Sequence, residues 1–457
     1  AWVSWDHPHL PWDSSYLHLG ALNRSSPEKF PLEQDLIISG GEDISILQPE
    51  FSPDGSNLVY ISDQSGWWQL YIYDLKTGLR GQLTEKQAEH GLPPWVQDQR
   101  SFAFSSLGNK IYFLRNQQGL RSIWSYDLKT QIETRIELDG DYTWLEGLVV
   151  SPRNDQIALI ASGADLPPRL IIAAPDGKTR IIRDSSSLEI ARGLFSLPKP
   201  ITWTGKDGED IHGLFYQPNN PDYQGTGKAP LLIIIHSGPT RQKYAEFQPR
   251  TQYFASRGYA VLEPNYRGST GYGRDYWQAL KGQWGILEVD DVYQAANALS
   301  RKGLVDKNRI ALLGSSSGGL TVFQALEKYP GVFKAGISLY GIANHLTLLE
   351  NPPKFERYYS EWLIGGAYPE CAQLYQERSP VFFAENLEDP VIIFQGGQDP
   401  VVPQDQAEQI VKALEENQVA YEYHLYPDEG HGFKKAENVS DFYQKTEAFL
   451  KKYVINN

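Results

Sequence analysis

Two patterns of apolar spacing divide the chain. Up to about Ser196, apolar and polar residues alternate in short runs, such as Leu58-Val59-Tyr60-Ile61-Ser62, Gln69–Asp74, Lys110–Leu114 and Ser122–Tyr126. This period of two predicts half-buried strands, with Asp-Gly and Thr-Gly pairs marking hairpin turns. A unit recurs. Asp74-Leu75-Lys76-Thr77 and Asp127-Leu128-Lys129-Thr130 close two copies 53 residues apart. A third, weaker copy runs from Val149-Val150-Ser151-Pro152 through Leu170-Ile171-Ile172 to Pro175-Asp176-Gly177-Lys178-Thr179. Short strands at this period, roughly 50 residues, predict β-propeller blades. A plain β-sandwich competes, and the internal repeat weighs against it. About three blades and a fragment, Ala1–Leu19, are visible.

Leu197-Pro198-Lys199-Pro200 reads as a linker, and the pattern changes after it. Ile201–Trp203 and Ile211–Tyr216 predict a hairpin around Asp207-Gly208, and the polar, Gly- and Pro-rich stretch Gln217–Pro230 predicts a loop. Continuous apolar runs follow at Leu231–Ile235, Ala260–Glu263, Ile310–Leu313, Ala335–Leu339 and Val391–Phe394. Between and after them, helices are predicted over Thr251–Arg257, Val289–Arg301, Leu320–Tyr329 and Gln404–Glu416. Uninterrupted apolar strands alternating with helices mean a mostly parallel sheet covered on both faces. The expected architecture is therefore an all-β propeller over residues 1–196, followed by a doubly wound α/β domain over 197–457.

Length and composition agree with two or three soluble domains: 457 residues, 41% apolar and 21% charged. A net charge of −14 weighs against nucleic acid and anionic membranes as partners. No apolar run is long enough to cross a bilayer. The first residues show no basic segment leading into an apolar core. Cys371 is the sole cysteine, which fits a reducing compartment, the cytoplasm. The chain opens at Ala1 in a strand-like stretch and contains no Met. We therefore expect further N-terminal sequence and further blades, and read the spacings as lower limits.

Chemistry concentrates in Ile310-Ala311-Leu312-Leu313-Gly314-Ser315-Ser316-Ser317-Gly318-Gly319. Strand, Gly-x-Ser-x-Gly and helix in that order describe the nucleophile elbow of an α/β-hydrolase, with Ser316 at its tip. Gly314 and Gly318 give the strained turn clearance, and Gly319 allows close packing of the helix. A nucleophilic serine needs a base, and the base an orienting acid, in the chain order serine, acid, histidine. Only His345, His424 and His431 follow Ser316. His424 lies in an alternating strand, where a structural role is favoured, and His345 follows a strand end. His431, between Gly430 and Gly432, has the reach a base needs. Asp399, just past Val391–Phe394, sits at the strand end where such sheets bind ligands. Pro400 and Pro403 leave a plain turn aspartate as the alternative. The oxyanion donors expected are the backbone N–H of Ser317 and, from the loop after Leu231–Ile235, that of Ser237 or, second, Gly238.

Taken together, His236-Ser237-Gly238-Pro239, Asn265–Gly273, Gly314–Gly319, Gln395-Gly396-x-x-Asp399 and Gly430-His431-Gly432-Phe433 resemble the prolyl oligopeptidase family. The nearest branch is the acylaminoacyl-peptidase and dipeptidyl-aminopeptidase-like one. The resemblance runs from about residue 200 to the end, and more loosely over the blades. It implies a serine exopeptidase acting on short peptides, with Ser316, Asp399 and His431 as triad, a propeller over the site, and no metal or organic cofactor. His236, Tyr266, Arg267 and Tyr358, the last within Phe355–Tyr359, are candidates to line the substrate pocket. A homo-oligomer is left open. The chain departs from the family in His-Ser-Gly-Pro for His-Gly-Gly-Pro and in Ser317 where Ala or Tyr is usual. It also has fewer blades than seven and no Glu-Glu pair for holding a free N-terminus. A carboxylesterase on the same machinery, or a catalytically silent propeller binding protein, are the alternatives.

Overall fold

The computed structural model describes residues 1–22, 32–95, 99–187, 190–348 and 356–456. The chain forms two compact units: Ala1–Glu189 with Tyr244–Phe247 and Thr270–Trp277, and Ile190–Lys243 with Gln248–Ser269 and Gln278–Asn457.

The first unit consists of small antiparallel sheets, the blades of a propeller. Trp2–Ser4, Ser15–Leu22 and Leu32–Gly41 make a three-stranded sheet, so the expected fragment extends well beyond Leu19. Three four-stranded sheets follow: Ile46–Phe51 to Arg80–Gln82, Phe102–Phe104 to Ile132–Arg135, and Trp144–Val150 to Thr179–Asp184. The repeated Asp-Leu-Lys-Thr has a local cause. Asp74 Oδ1 accepts the N–H groups of Lys76 and Thr77 at 2.9 and 2.7 Å, and Asp127 Oδ1 those of Lys129 and Thr130 at 3.1 and 2.9 Å. The aspartate thus builds the turn that ends the third strand in both of these blades. Blades then pack face to face: Leu145, Ile157, Leu159 and Ile171 bury against Tyr112, Leu114 and Ile123 of the preceding sheet.

The second unit is organised by one eight-stranded sheet: β1 (Lys199–Thr204), β2 (Asp210–Tyr216), β3 (Leu231–Ile235), β4 (Ala260–Asn265), β5 (Ile310–Ser315), β6 (Ala335–Leu339), β7 (Val391–Gly396) and β8 (Tyr421–Tyr426). The order is β1-β2-β4-β3-β5-β6-β7-β8, antiparallel only at β1–β2 and β2–β4. Lys199 and Pro200 belong to edge strand β1 rather than to a linker, a position where the missing N–H of proline costs no ladder bond. Crossover helices α1 (Pro249–Ala255), α2 (Leu287–Arg301), α3 (Ser317–Lys328) and α4 (Gln404–Glu416), with α5 (Ala436–Leu450) after β8, cover the sheet. Every residue of β3, β4, β6 and β7 is buried, the physical origin of their unbroken apolar runs. Among the described residues no helix is long and apolar enough to cross a membrane.

Candidate active site

The elbow forms where β5 runs into α3. Ser316 has φ 55° and ψ −122°, a strained combination for a residue with a side chain. Its N–H donates to Leu339 O at 2.9 Å, tying the turn to the end of β6. Only glycine fits two positions to either side of it: a Cβ on Gly314 would lie 2.0 Å from Gly318 O, and one on Gly318 would lie 2.7 Å from Ile235 O. The latter contact sets the start of α3 directly on the end of β3, where the His236–Pro239 loop begins. Ser317 is the first residue of α3, so its N–H is one of the helix's intrinsically unpartnered donors.

Asp399 and His431 are joined. Asp399 Oδ2 lies 2.8 Å from His431 Nδ1, while Asp399 Oδ1 accepts the N–H groups of Val401 and Val402, each at 2.9 Å. The turn-building and histidine-holding readings of Asp399 are both realised, one oxygen each. The Asp399 side chain is 0% exposed and that of His431 24%. With Nδ1 bonded to a carboxylate, the neutral imidazole keeps its proton there and leaves Nε2 as acceptor. The loops after β7 and β8 are laced by Gly397 N–H to Tyr426 O (2.8 Å) and Gln398 N–H to Glu429 O (2.8 Å).

The residues expected to line a substrate pocket need correction. His236, Tyr266 and Arg267 are buried and already engaged, the first two within the His236–Pro239 loop and the third with carboxylates elsewhere in the unit. His236 stacks on Tyr266 at 4.3 Å and shares a 2.8 Å hydrogen bond with Ser269 Oγ. Burial, with help from Lys243, pushes its pKa down to about 3, so it is neutral. Tyr266 donates its hydroxyl to Pro239 O at 2.9 Å. Asn265 Oδ1 accepts the N–H of Lys243 (2.6 Å) and Asn265 Nδ2 donates to its carbonyl (3.1 Å). Arg267 is committed to Asp291, with Nη2 to Oδ1 at 2.6 Å, and to Asp207. The Asn265–Ser269 motif is therefore the scaffold of the loop carrying Ser237 and Gly238, both half-exposed, with Gly238 at φ 66°. Tyr358 is half-buried, and the next residue, Tyr359, bonds Thr240 Oγ1 at 2.6 Å, one residue past that loop. Phe355 lies outside the described residues.

Sequence reasoning missed three neighbours of the site. Trp284 Nε1 donates to the buried Ser317 Oγ at 3.1 Å. Glu288, fully buried, accepts Gly285 N–H at 2.6 Å, and burial pushes its carboxyl up to about 8. Tyr340, after β6, lies against His431 with ring centroids 4.6 Å apart. None carries a local sequence signal. His345 sits edge-on to Trp284 inside the unit, where burial pushes it down to about 3. His424 lies on β8, 3.2 Å from Lys445 Nζ.

Comparison with known proteins bears on the family. Residues 245–457 match the model of the prolyl oligopeptidase family. The chain is 34% identical over 259 residues to dipeptidyl aminopeptidase BIII of Pseudoxanthomonas mexicana, covering 55% of this chain and 38% of that protein. It is 24% identical over 440 residues to the acylamino-acid-releasing enzyme of Mus musculus, covering 90% and 59%. The chain spans 30% to 59% of the length of such curated relatives. Among solved structures, a Mycobacterium tuberculosis puromycin-hydrolyzing peptidase superposes with a TM-score of 0.91 at 30% identity, covering 99% of this chain and 67% of that one. An elbow serine, a carboxylate-held histidine and this likeness along the chain together show that it belongs to the prolyl oligopeptidase family of serine peptidases.

Proposed function

We propose that the protein is a serine exopeptidase that hydrolyses short peptides through an acyl-enzyme. The observation that carries this reading is the buried Asp399 carboxylate holding His431 Nδ1 at 2.8 Å, on loops beside the strained Ser316 turn. In the proposed sequence His431 Nε2 takes the proton of Ser316 Oγ–H as Oγ attacks the scissile carbonyl. The oxyanion accepts hydrogen bonds from the N–H groups of Ser317 and of Ser237 or Gly238; each such donor is typically worth about 2.7–4 kcal/mol of barrier. The intermediate collapses, the amine leaves with the proton from Nε2, and water, deprotonated in turn by His431, cleaves the ester. Tyr358 is the candidate that remains for the substrate pocket. The single cysteine keeps the cytoplasm as the proposed location.

The relatives' names describe release of acylamino acids or dipeptides from a peptide end, and puromycin hydrolysis belongs to a structural neighbour. Puromycin and aminoacyl anilides with free and acylated N-termini are therefore the substrates to compare. A fluorophosphonate probe should label the protein, and Ser316→Ala should abolish both labelling and turnover while leaving the melting temperature within a few degrees. Labelling that survives in Ser316→Ala refutes the nucleophile. Turnover confined to short acyl esters would favour the carboxylesterase reading.

A further inference from the structure

We propose that Tyr340 is a positioning residue that sets the His431 imidazole relative to Ser316. The inference rests on the assignment of His431 as the base. Tyr340 has φ 39°, a left-handed backbone that is an outlier for a bulky side chain. Such strain persists only where the surroundings over-determine it, and it concentrates at functional sites.

The surroundings here do over-determine it. Tyr340 N–H donates to Phe394 O at 2.7 Å at the end of β7, and the preceding carbonyl, Leu339 O, accepts the Ser316 N–H at 2.9 Å. The dipeptide Leu339-Tyr340 thus holds the nucleophile's backbone on one residue and faces the base with the next. The Tyr340 ring meets His431 at 4.6 Å, inclined by 55°, and Phe433 edge-on at 5.5 Å. Its hydroxyl reaches to 4.0 Å from where a Cβ of Gly432 would be. One side chain therefore meets both His431 and Phe433 and passes close to Gly432 between them. Phe433 is braced in turn by Tyr426, edge-on at 4.8 Å.

A second contact on His431 is needed for a geometric reason. The Asp399 bond fixes Nδ1, but small rotations about χ1 and χ2 still tilt the ring about that point and carry Nε2 away from Ser316 Oγ. A wall against the imidazole removes that freedom. Small displacements of a reacting group can cost up to about a hundredfold in rate, so the wall acts on kcat rather than on substrate affinity.

The test uses Tyr340→Leu, and Tyr340→Asn as a second ringless variant at ease with this backbone. Both should lower kcat roughly tenfold with KM nearly unchanged, while Tyr340→Phe, which keeps the ring, should restore the rate. The loss should vanish in a His431→Ala background, measured on the residual hydrolysis of an activated nitrophenyl ester, because the ring acts through the imidazole. Wild-type kcat in both ringless variants overturns the proposal. So does a Phe variant no better than Leu, or an equal loss in the His431→Ala background. A His431→Ala variant with wild-type turnover would instead overturn the base assignment itself, a different result from any of these.

Discussion

Replacing Asp399 by Asn tests the proposed triad more sharply than removing it, because the structure dictates how the amide must sit. Asp399 Oδ1 accepts two backbone N–H groups, from Val401 and Val402, and Oδ2 faces His431 Nδ1. An amide offers one acceptor and one donor end. With its oxygen at the Oδ1 position, both backbone bonds survive and the NH₂ points at His431. The reverse placement would lose two hydrogen bonds worth about 0.5–1.5 kcal/mol each, and would set a donor against two donors in a buried site. The first orientation is thus favoured by at least roughly 1–3 kcal/mol, about fivefold to more than a hundredfold. In that orientation His431 Nδ1 must accept, its proton moves to Nε2, and Nε2 can no longer take the proton of Ser316. The same change in another serine protease lowers kcat about 10⁴-fold through the wrong tautomer. We expect a loss of that order for Asp399→Asn on aminoacyl anilides, with a melting temperature close to wild type because the turn bonds remain. A variant within tenfold of wild type would refute the argument, whatever its stability.

Two further outcomes are expected. Ser317→Ala, innocuous in sequence terms, should cost about 1–3 kcal/mol of stability because it strands the buried Trp284 N–H. Trp284→Phe should cost a similar amount and the double variant less than the sum, read by denaturant unfolding; additive losses would mean that the bond contributes nothing. Glu288→Gln should raise stability selectively at alkaline pH. Burial lifts the Glu288 carboxyl from 4.5 to about 8, so between those values the folded chain holds a proton that the unfolded chain releases. Stability from this group is full below the lower value and declines by up to about 1.4 kcal/mol per pH unit above it. The Gln variant should melt like wild type near pH 5 and higher near pH 8.5, and equal melting at both would show that Glu288 ionises freely.

The fold was legible where one local rule sufficed. The Asp-Leu-Lys-Thr repeat exposed the blades because an aspartate that satisfies two N–H groups of its own turn needs no distant partner. The elbow was legible because a strained serine between strand and helix demands glycine two positions to either side, as the overlaps at Gly314 and Gly318 make plain. Strand Leu32–Gly41 was missed because a partner-dependent strand of mixed polarity carries no clean period of two. Lys199-Pro200 was misread because proline signals a break on average, yet an edge strand has no use for the N–H that proline lacks.

The site divides along the same line. That Asp399 and His431 meet could be anticipated from chain order and strand ends, since this chain has only three histidines after Ser316 to choose among. The roles of His236, Tyr266 and Arg267 could not, because a motif shows that residues belong together and is silent on which way they face. Arg267 finds its partner 24 residues on, in Asp291, and Trp284 reaches Ser317 across 33 residues. Tyr340 is the limiting case: a residue that prefers strands sits at φ 39° against local propensity. The positioning role proposed for Tyr340 would account for this conflict between local preference and tertiary placement. It is visible only when the backbone angles and the neighbours of His431 are read together.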